Sequence, residues 1–264
     1  RRRIAIPDRI RLRGTAGADK GAFSAASTLS TDGGEIALQG QLDTRSEAYE
    51  IELRCDSFPL NRFLPADSLG LLDLALQAGG SGFDPLRAQT RGNIRLQVDR
   101  AEFRGRDFGG VELNANLEGG QLSGRLSDRD EALRLLLLVS GTLTERKQEV
   151  RLTGNVFDFD LAELGISPQK IGGSFALEAG ASASDAGSYT ARIALDSIEV
   201  RTRHRTDRIR PTSLSLSSDT TATRAKLASG DLSLAFVSPG PVDSLVPALT
   251  RSADILARQI RAQS

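Results

Sequence analysis

The sequence predicts an all-β protein built from repeated antiparallel strands, and three features support this prediction. Apolar and polar residues alternate through most of the chain, for example over Glu35–Leu42, Asn93–Asp99 and Val111–Leu117. Successive side chains of a strand point to opposite faces, so each such segment has one apolar and one polar face. Glycine-rich turn signals separate the segments, and a unit of roughly 100 residues recurs along the chain.

The turn signals are frequent enough to join short antiparallel strands directly. They include Asp32–Gly34, Gly79–Gly82, Gly109–Gly110 and Glu118–Gly120. Glycine supplies the backbone conformations that such turns need. Helical periodicity is nearly absent before residue 240, so strands account for most of the predicted structure.

The internal repeat is visible when Gly40–Leu42 is aligned with Gly141–Leu143 and Ala75–Gly79 with Ala176–Gly180. This alignment divides residues 1–238 into units of about 1–70, 71–170 and 171–238. Strands with one apolar face cannot bury that face alone and must stack on their neighbours. A closed sandwich and an extended sheet folded over on itself both meet this requirement, and the alternation does not separate them.

The alternation assigns a set of aliphatic residues to one continuous interior surface, and polar residues to the outer face. These predicted interior residues are Ile36, Leu38, Leu42, Ile51, Leu53, Ile94, Leu96, Val98, Val111, Leu113, Leu117, Leu137, Val139, Leu143, Val150, Leu152, Ile193, Leu195, Leu214, Leu216, Leu232 and Leu234.

The last part of the chain has a different pattern. Pro239–Pro241 interrupts the predicted sheet, and beyond it Leu245, Leu249, Leu256 and Ile260 share a helical stripe. We therefore predict a short helical segment over residues 239–264.

Composition excludes several classes of function. Lys+Arg 34 balances Asp+Glu 34, so the chain lacks the excess of positive charge that a nucleic-acid-binding surface requires. Cys55 is the single cysteine, which rules out an intrachain disulfide and predicts a buried, inert thiol.

The ends of the sequence predict a chain that begins in the middle of a longer protein. Arg1–Ile6 is not followed by the apolar region of a signal peptide, and no stretch approaches the roughly 20 apolar residues that cross a bilayer. Any membrane anchor is therefore expected outside this chain.

Catalytic, metal and cofactor sites are not predicted. The single histidine, His204, lies among arginines, so a nucleophile–histidine pair is not expected. Asp158 and Asp160 are expected to point outward from one strand. The alternation also predicts that Arg201, Arg203 and Arg205 line one strand face, either as a solvated surface or as a contact for anionic lipid headgroups.

Three segments together give a resemblance to a known family. The first runs from Ile36–Leu42 through Tyr49–Leu53 to Ser57–Leu64, and Glu149–Ile166 repeats it. The third is Ala228–Phe236, which precedes the predicted helical tail. In these segments, over nearly its whole length, the chain resembles an internal part of the AsmA/TamB-like family in its Bacteroidota-type form.

The resemblance implies a fold and a function. Members of the family are anchored in the inner membrane of Gram-negative bacteria and cross the periplasm as a long sheet curled into an open apolar groove, a β-taco. The groove implies phospholipid acyl chains as ligands, carried between the two membranes. The resemblance also implies an outer-membrane barrel partner of the Omp85/TamA type, reached through a region outside this chain, and a periplasmic location for these residues.

Other interpretations of the pattern remain open at this stage. The same strands suit an adhesive or structural repeat protein with a dry core and no lipid path. They also suit an assembly factor that holds strands of outer-membrane proteins by adding them to its sheet. An enzyme is disfavoured because the sequence offers no catalytic group.

Overall fold

The computed structural model of the chain describes residues 9–63, 69–184 and 187–241. These residues form one antiparallel sheet of seventeen strands and a one-turn helix, so the all-β prediction is confirmed. The first strands and the helix are Ile10–Asp19 (β1), Ala22–Thr31 (β2), Glu35–Asp43 (β3), Ala48–Pro59 (β4), Leu60–Phe63 (α1), Leu69–Ser81 (β5), Arg91–Phe103 (β6), Arg106–Phe108 (β7), Val111–Glu118 (β8) and Gln121–Arg129 (β9). The remaining strands are Leu133–Leu143 (β10), Lys147–Asp160 (β11), Gly172–Ser184 (β12), Tyr189–Arg201 (β13), Thr206–Ile209 (β14), Thr212–Ser218 (β15), Ala222–Ser229 (β16) and Leu232–Pro239 (β17).

The sheet is a meander in which each strand pairs with its neighbour in sequence. Two positions are shared: β7 and β8 both pair with β6, and β14 and β15 both pair with β13. Gly109 and Gly110 separate β7 from β8, and Gly110 takes a φ of 83° while its N–H donates to the carbonyl of Val98. Strands β1 and β17 form the outer edges of the described sheet, which is therefore open.

At one end of the strands, β-bulges keep the apolar side chains on the same side of the sheet. The pairing of β4 with β5 shifts between Cys55 and Phe58, so that both residues, three apart in sequence, face the same side. Ser57 takes a φ of 47° in the bulge, and its N–H and hydroxyl both donate to the carboxylate of Asp73. The same shift occurs in β11 between Val156 and Phe159.

The repeat seen in the sequence is also a repeat of strands: β3–β9 is followed by β10–β16 with similar lengths in the same order, and the bulge in the β4–β5 pairing recurs in the β11–β12 pairing. By their pairing partners, Ile36 and Cys55 correspond to Leu135 and Val156. Matched in this way, Gly40 corresponds to Val139, two residues before Gly141, with which the sequence alignment pairs it. Two residues are one full period of a strand, so the difference leaves every face assignment unchanged.

The C-terminal prediction is only partly covered by the structure. Strand β17 ends at Pro239, where the sequence predicted an interruption. Residues 242–264, on which the predicted helical stripe falls, lie outside the described residues.

A conventional buried core is almost absent from the described sheet. The buried hydrophobic side chains are Cys55, Phe58, Ala132 and Val156, all near the bulged end of the strands. Phe58 stacks on Phe63 of α1 with ring centroids 5.1 Å apart. Burial raises the pKa of the Cys55 thiol, and the nearby carboxylates of Asp56 and Asp73 raise it further. The thiol is thus buried, as predicted.

We expect Phe58→Ala to lower the free energy of unfolding by about 3 kcal/mol, because it removes a large side chain that is 2% exposed and leaves a cavity. Phe157→Ala is the matched control, because Phe157 is 48% exposed in the bulge of β11 and its loss should cost within about 0.5 kcal/mol. Urea unfolding of the two variants measures the difference. Equal losses of unfolding free energy in the two variants would show that packing at the bulged end does not contribute more to stability than an exposed position.

Candidate functional site: an open apolar face

The pairing registers show which side chains share a face, because residues directly opposite each other on paired strands point to the same side. Leu38 lies opposite Leu53, and Leu53 lies opposite Leu76. Followed across the sheet from β3 to β10, this pairing gives one unbroken row of leucines: Leu38, Leu53, Leu76, Leu96, Leu113, Leu126 and Leu137.

Two further rows run parallel to the leucine row on the same face. The middle row contains large and small apolar residues from β4 to β17: Ile51, Ala78, Ile94, Ala115, Gly124, Val139, Leu152, Ala179, Ile193, Leu214, Leu227 and Leu234. The third row extends from β2 to β17: Phe23, Leu42, Tyr49, Gly80, Gly92, Leu117, Leu122, Gly141, Val150, Ala181, Ala191, Leu216, Ala225 and Phe236. We call the surface formed by the three rows the apolar face.

Every residue assigned to the interior by the alternation lies on the side of the sheet that carries the apolar face. The opposite side is polar over β3–β9, where the register joins Gln39, Glu52, Gln77, Arg95, Asn114 and Arg125. The next strand, β10, departs from this pattern, because Leu136 and Leu138 lie on the polar side, where Leu138 is 47% exposed.

The apolar face is open rather than closed. None of the predicted interior residues is buried, and Leu38, Ile51, Ile94, Ile193, Leu214, Leu232 and Leu234 are between 41% and 55% exposed. In a closed sandwich these side chains would interdigitate with a second sheet and lose nearly all contact with water. Within the described residues, no second layer covers this face.

The dimensions of the apolar face match those of the largest patches on monomeric proteins. Neighbouring strands are about 4.8 Å apart, so the middle row extends for roughly 50 Å and the leucine row for roughly 29 Å, and three rows two residues apart span about 14 Å. The resulting area, on the order of 550 Å², is near the upper end of the range for the largest apolar patch of a typical monomer, about 300–600 Å². A patch of this size indicates a binding surface.

A charged hollow of about 820 Å³ lies at the bulged strand ends, and it holds the acidic pair noted in the sequence. Asp158 forms an ion pair with Arg201, and Arg106 forms one with Glu163. Asp160 accepts hydrogen bonds from the backbone N–H groups of Ala162 at 2.9 Å and Glu163 at 3.2 Å. Asp158 therefore links β11 to the end of β13, and Asp160 fixes the turn that follows β11.

The prediction for the arginine series is wrong. Strand β13 ends at Arg201, and a tight turn follows in which the Thr202 N–H donates to the carbonyl of Arg205 at 2.9 Å. The alternation of faces applies only within a strand, so Arg201, Arg203 and Arg205 do not line one face. Arg205 instead pairs with Asp207 at 2.7 Å, at the start of β14.

Metal and membrane-spanning elements are not found within residues 9–63, 69–184 and 187–241. No group of His, Cys, Asp and Glu side chains there has the arrangement of a metal site. No helix in this part of the chain has both the length and the apolar character needed to span a bilayer.

Comparison of the chain with protein-family models, with curated proteins and with solved structures gives no match in any of the three. The geometry of the apolar face is therefore the basis on which a function is proposed.

The alternation missed several members of the apolar face. Leu76 and Leu126 belong to it, together with the alanines and the glycine of the middle row, and Leu177 lies on the same side of the sheet opposite Gly154. Alanine and glycine are weak apolar signals, and they hide the period of two in β5, β9 and β12. Aligning these segments with the leucines of neighbouring strands would have revealed them.

Asp128 is an acidic residue that the sequence did not single out. It lies opposite Leu135, at the end of β9, and is 9% exposed. Burial raises the pKa of its carboxyl group above the ordinary value, although the carboxylate accepts a hydrogen bond from the Asp130 N–H at 2.9 Å. A partly buried carboxylate thus bounds the apolar side at this strand end.

We expect Asp128→Asn to stabilise the protein at pH 7 relative to the native sequence. With a raised pKa in the folded state, the folded protein binds more protons than the unfolded chain above the ordinary pKa of 3.8, so native stability falls as the pH rises through that window. Asparagine does not titrate and keeps an oxygen for the Asp130 N–H. Urea unfolding should show a difference between the variants at pH 7 that disappears near pH 3. A difference independent of pH would contradict this account.

Proposed function

We propose that this chain is a segment of a lipid-transfer conduit that carries phospholipid acyl chains along the apolar face. The observation that supports this proposal is the continuity of the apolar rows, three across β3–β10 and two that continue to β17, with no buried side chain among them. A surface that is continuous and uncovered suits a ligand that slides along it.

The energetics favour an acyl chain as the ligand. Moving a two-chain lipid through water exposes some 30 methylenes at about 0.8 kcal/mol each, on the order of 24 kcal/mol. Contact with a continuous apolar surface removes a large part of that barrier. The width of the three rows, about 14 Å, is close to the depth of hydrocarbon in one leaflet, about 15 Å, so a chain lying along the strands fits within the face.

The mechanism uses no nucleophile, metal ion or redox group. Transfer needs only that neighbouring positions bind the acyl chain with nearly equal free energy, so that it passes from one to the next. The repeat favours this equality, because strands of similar length recur in the same order from one unit to the next and keep apolar residues on the same side.

The resemblance to the AsmA/TamB-like family extends the proposal to the whole protein. On this view the sheet curls into a β-taco groove in the periplasm, belongs to an inner-membrane-anchored protein, and leads toward an outer-membrane barrel of the Omp85/TamA type. Those attachments would lie in regions outside this chain.

A second candidate is an assembly factor for outer-membrane proteins. The open edges favour it, because the side chains of β1 are exposed throughout and those of β17 nearly so. An edge strand offers backbone donors and acceptors to an added strand. This function would use the two edges, whereas lipid transfer uses the face between them.

We expect a photocrosslinking amino acid at Leu96 or Leu113 to capture phospholipid in cells, and one at Gln97 or Glu112 to capture none. Leu96 lies opposite Leu113 and Gln97 lies opposite Glu112, so each pair occupies the same two strands and differs only in the face it presents. Mass spectrometry of the purified adducts gives the result. Equal capture of phospholipid at both pairs would show that lipid does not follow this face.

We expect Leu113→Asp to impair envelope integrity more strongly than it lowers protein level or protease resistance. A conduit acts in series, so one carboxylate in the apolar path raises the barrier for every lipid that passes. Damage to the stability of a repeat protein is local by comparison.

Asn114→Asp is the control for this experiment, because it adds the same carboxylate to the opposite face of the same strand. Its envelope integrity should be normal. If Leu113→Asp is expressed at the native level and leaves the envelope intact, lipid does not travel along this face.

A further inference from the structure

A pocket of about 820 Å³ lies on the apolar side of the sheet over strands β1–β4, at the end with the β1–β2 and β3–β4 turns. Its floor consists of small residues, Ala16, Ala25 and Gly40 among them, and its walls include Phe23, Tyr49 and Phe83. None of the residues that line it is charged. The small floor residues leave room that larger side chains occupy elsewhere on the face.

Tyr49 forms one wall of the pocket because its ring lies along the sheet over two glycines. A Cβ atom at position 80 would lie 2.8 Å from Tyr49 Oη, and one at position 92 would lie 3.2 Å from it. A Cβ atom at Gly80 would also overlap the backbone carbonyl oxygen of Arg91, so this position has no space for a side chain. The glycines of β5 and β6 therefore leave room for the Tyr49 ring to lie flat across the neighbouring strands.

Phe83 reaches the same wall from the turn after β5. Its ring stacks on Tyr49 with centroids 6.1 Å apart and an angle of 22° between the planes. The preceding residue, Gly82, takes a φ of 83° and donates its N–H to the carbonyl of Glu47 at 3.0 Å, which ties this turn to the β3–β4 turn. Phe83 is nonetheless 59% exposed, which leaves much of its ring available to a ligand.

The wall occurs at one place among the described residues. By pairing partners, Tyr49, Gly80 and Gly92 correspond to Val150, Ala181 and Ala191 in the next unit. Valine and alanine provide no ring to close off the face there. The pocket is thus a local departure from the repeat, which points to a role of its own.

The size and chemistry of the pocket select a ligand class. Its volume falls within the range of about 300–1,000 Å³ found for small-molecule sites. Four strands about 4.8 Å apart give it a length of roughly 14 Å, close to the 15 Å of hydrocarbon in one leaflet. With no charged group in its lining, it suits a hydrocarbon chain and excludes a phosphate.

We infer that this pocket holds one acyl chain of a phospholipid against Tyr49 and Phe83, as a resting position within the otherwise uniform path. The inference rests on the proposed function and adds to it a preferred site. The headgroup lies outside the pocket, where the β1–β2 and β3–β4 turns carry charges of both signs: Asp19, Lys20, Asp43, Arg45 and Glu47.

The chain's own fluorescence locates a bound chain, because it contains two tyrosines and no tryptophan. Tyr49 is in the pocket, whereas Tyr189 lies on the same side of the sheet in β13, eight strand positions or roughly 40 Å away. The probes are 11-(dansylamino)undecanoic acid and a phosphatidylcholine that carries the same chain. Energy transfer from tyrosine to dansyl reports which tyrosine is near the bound probe.

With the full chain, we expect transfer to both probes at low occupancy, transfer that is lost in Tyr49→Phe and transfer that is retained in Tyr189→Phe. Phe83→Ala should weaken binding by about 3- to 10-fold, the effect of losing one aromatic contact. Phe157→Ala removes a phenylalanine of similar exposure outside the pocket and should leave binding unchanged.

The outcomes separate the pocket from the conduit. Equal contributions from the two tyrosines, with no effect of Phe83→Ala, would overturn the pocket and leave lipid binding along the face intact. Binding of the free acid without binding of the phosphatidylcholine would overturn a phospholipid as the occupant. Absence of binding to either probe would overturn both the pocket and the proposed function.

Discussion

The phase of cross-strand pairing is the constraint on which the rest of this structure depends. A slip of one residue in any strand would move its whole apolar set to the opposite side of the sheet. The registers keep that phase from β1 to β17, and the rows of apolar side chains exist only because they do. Where the chain needs an extra residue, as at Ser57, a bulge with a positive φ absorbs it, and Phe58 returns to the same face as Cys55. Asp73 fixes this bulge by accepting hydrogen bonds from Ser57.

Because so little hydrophobic area is buried, the stability of this sheet comes from the interactions between adjacent strands. Backbone hydrogen bonds and cross-strand pairs between leucines, such as Leu96 with Leu113, connect each strand to the next. Stability is then close to a sum over adjacent strands, as in other repeat proteins. The same arrangement leaves one face uncovered, and an uncovered apolar face of this size calls for a ligand. The open sheet thus explains both the small buried core and the exposed apolar face on which the proposed function depends.

Much of this architecture could be predicted from the sequence, because strand faces follow directly from a period of two. The side of the sheet on which Leu38, Ile94 or Leu214 lies needed only the alternation. Features that depend on contacts between distant strands could not be predicted in this way. The turn after Arg201 interrupts an alternation that continues in the sequence, and the ring of Tyr49 over Gly80 involves two strands. The alanines and glycines of the middle row carry too weak an apolar signal on their own. Their place on the face follows from the leucines and isoleucines opposite them.

The central claim is that the apolar face binds lipid rather than protein. Native mass spectrometry of the chain, purified from cells under conditions that preserve bound lipid, tests it most directly. The account predicts a monomer carrying phospholipid molecules, which are lost when Leu96 and Leu113 are both changed to aspartate and retained when Gln97 and Glu112 are. A lipid-free chain, with the apolar face covered by a second copy of itself, would contradict it.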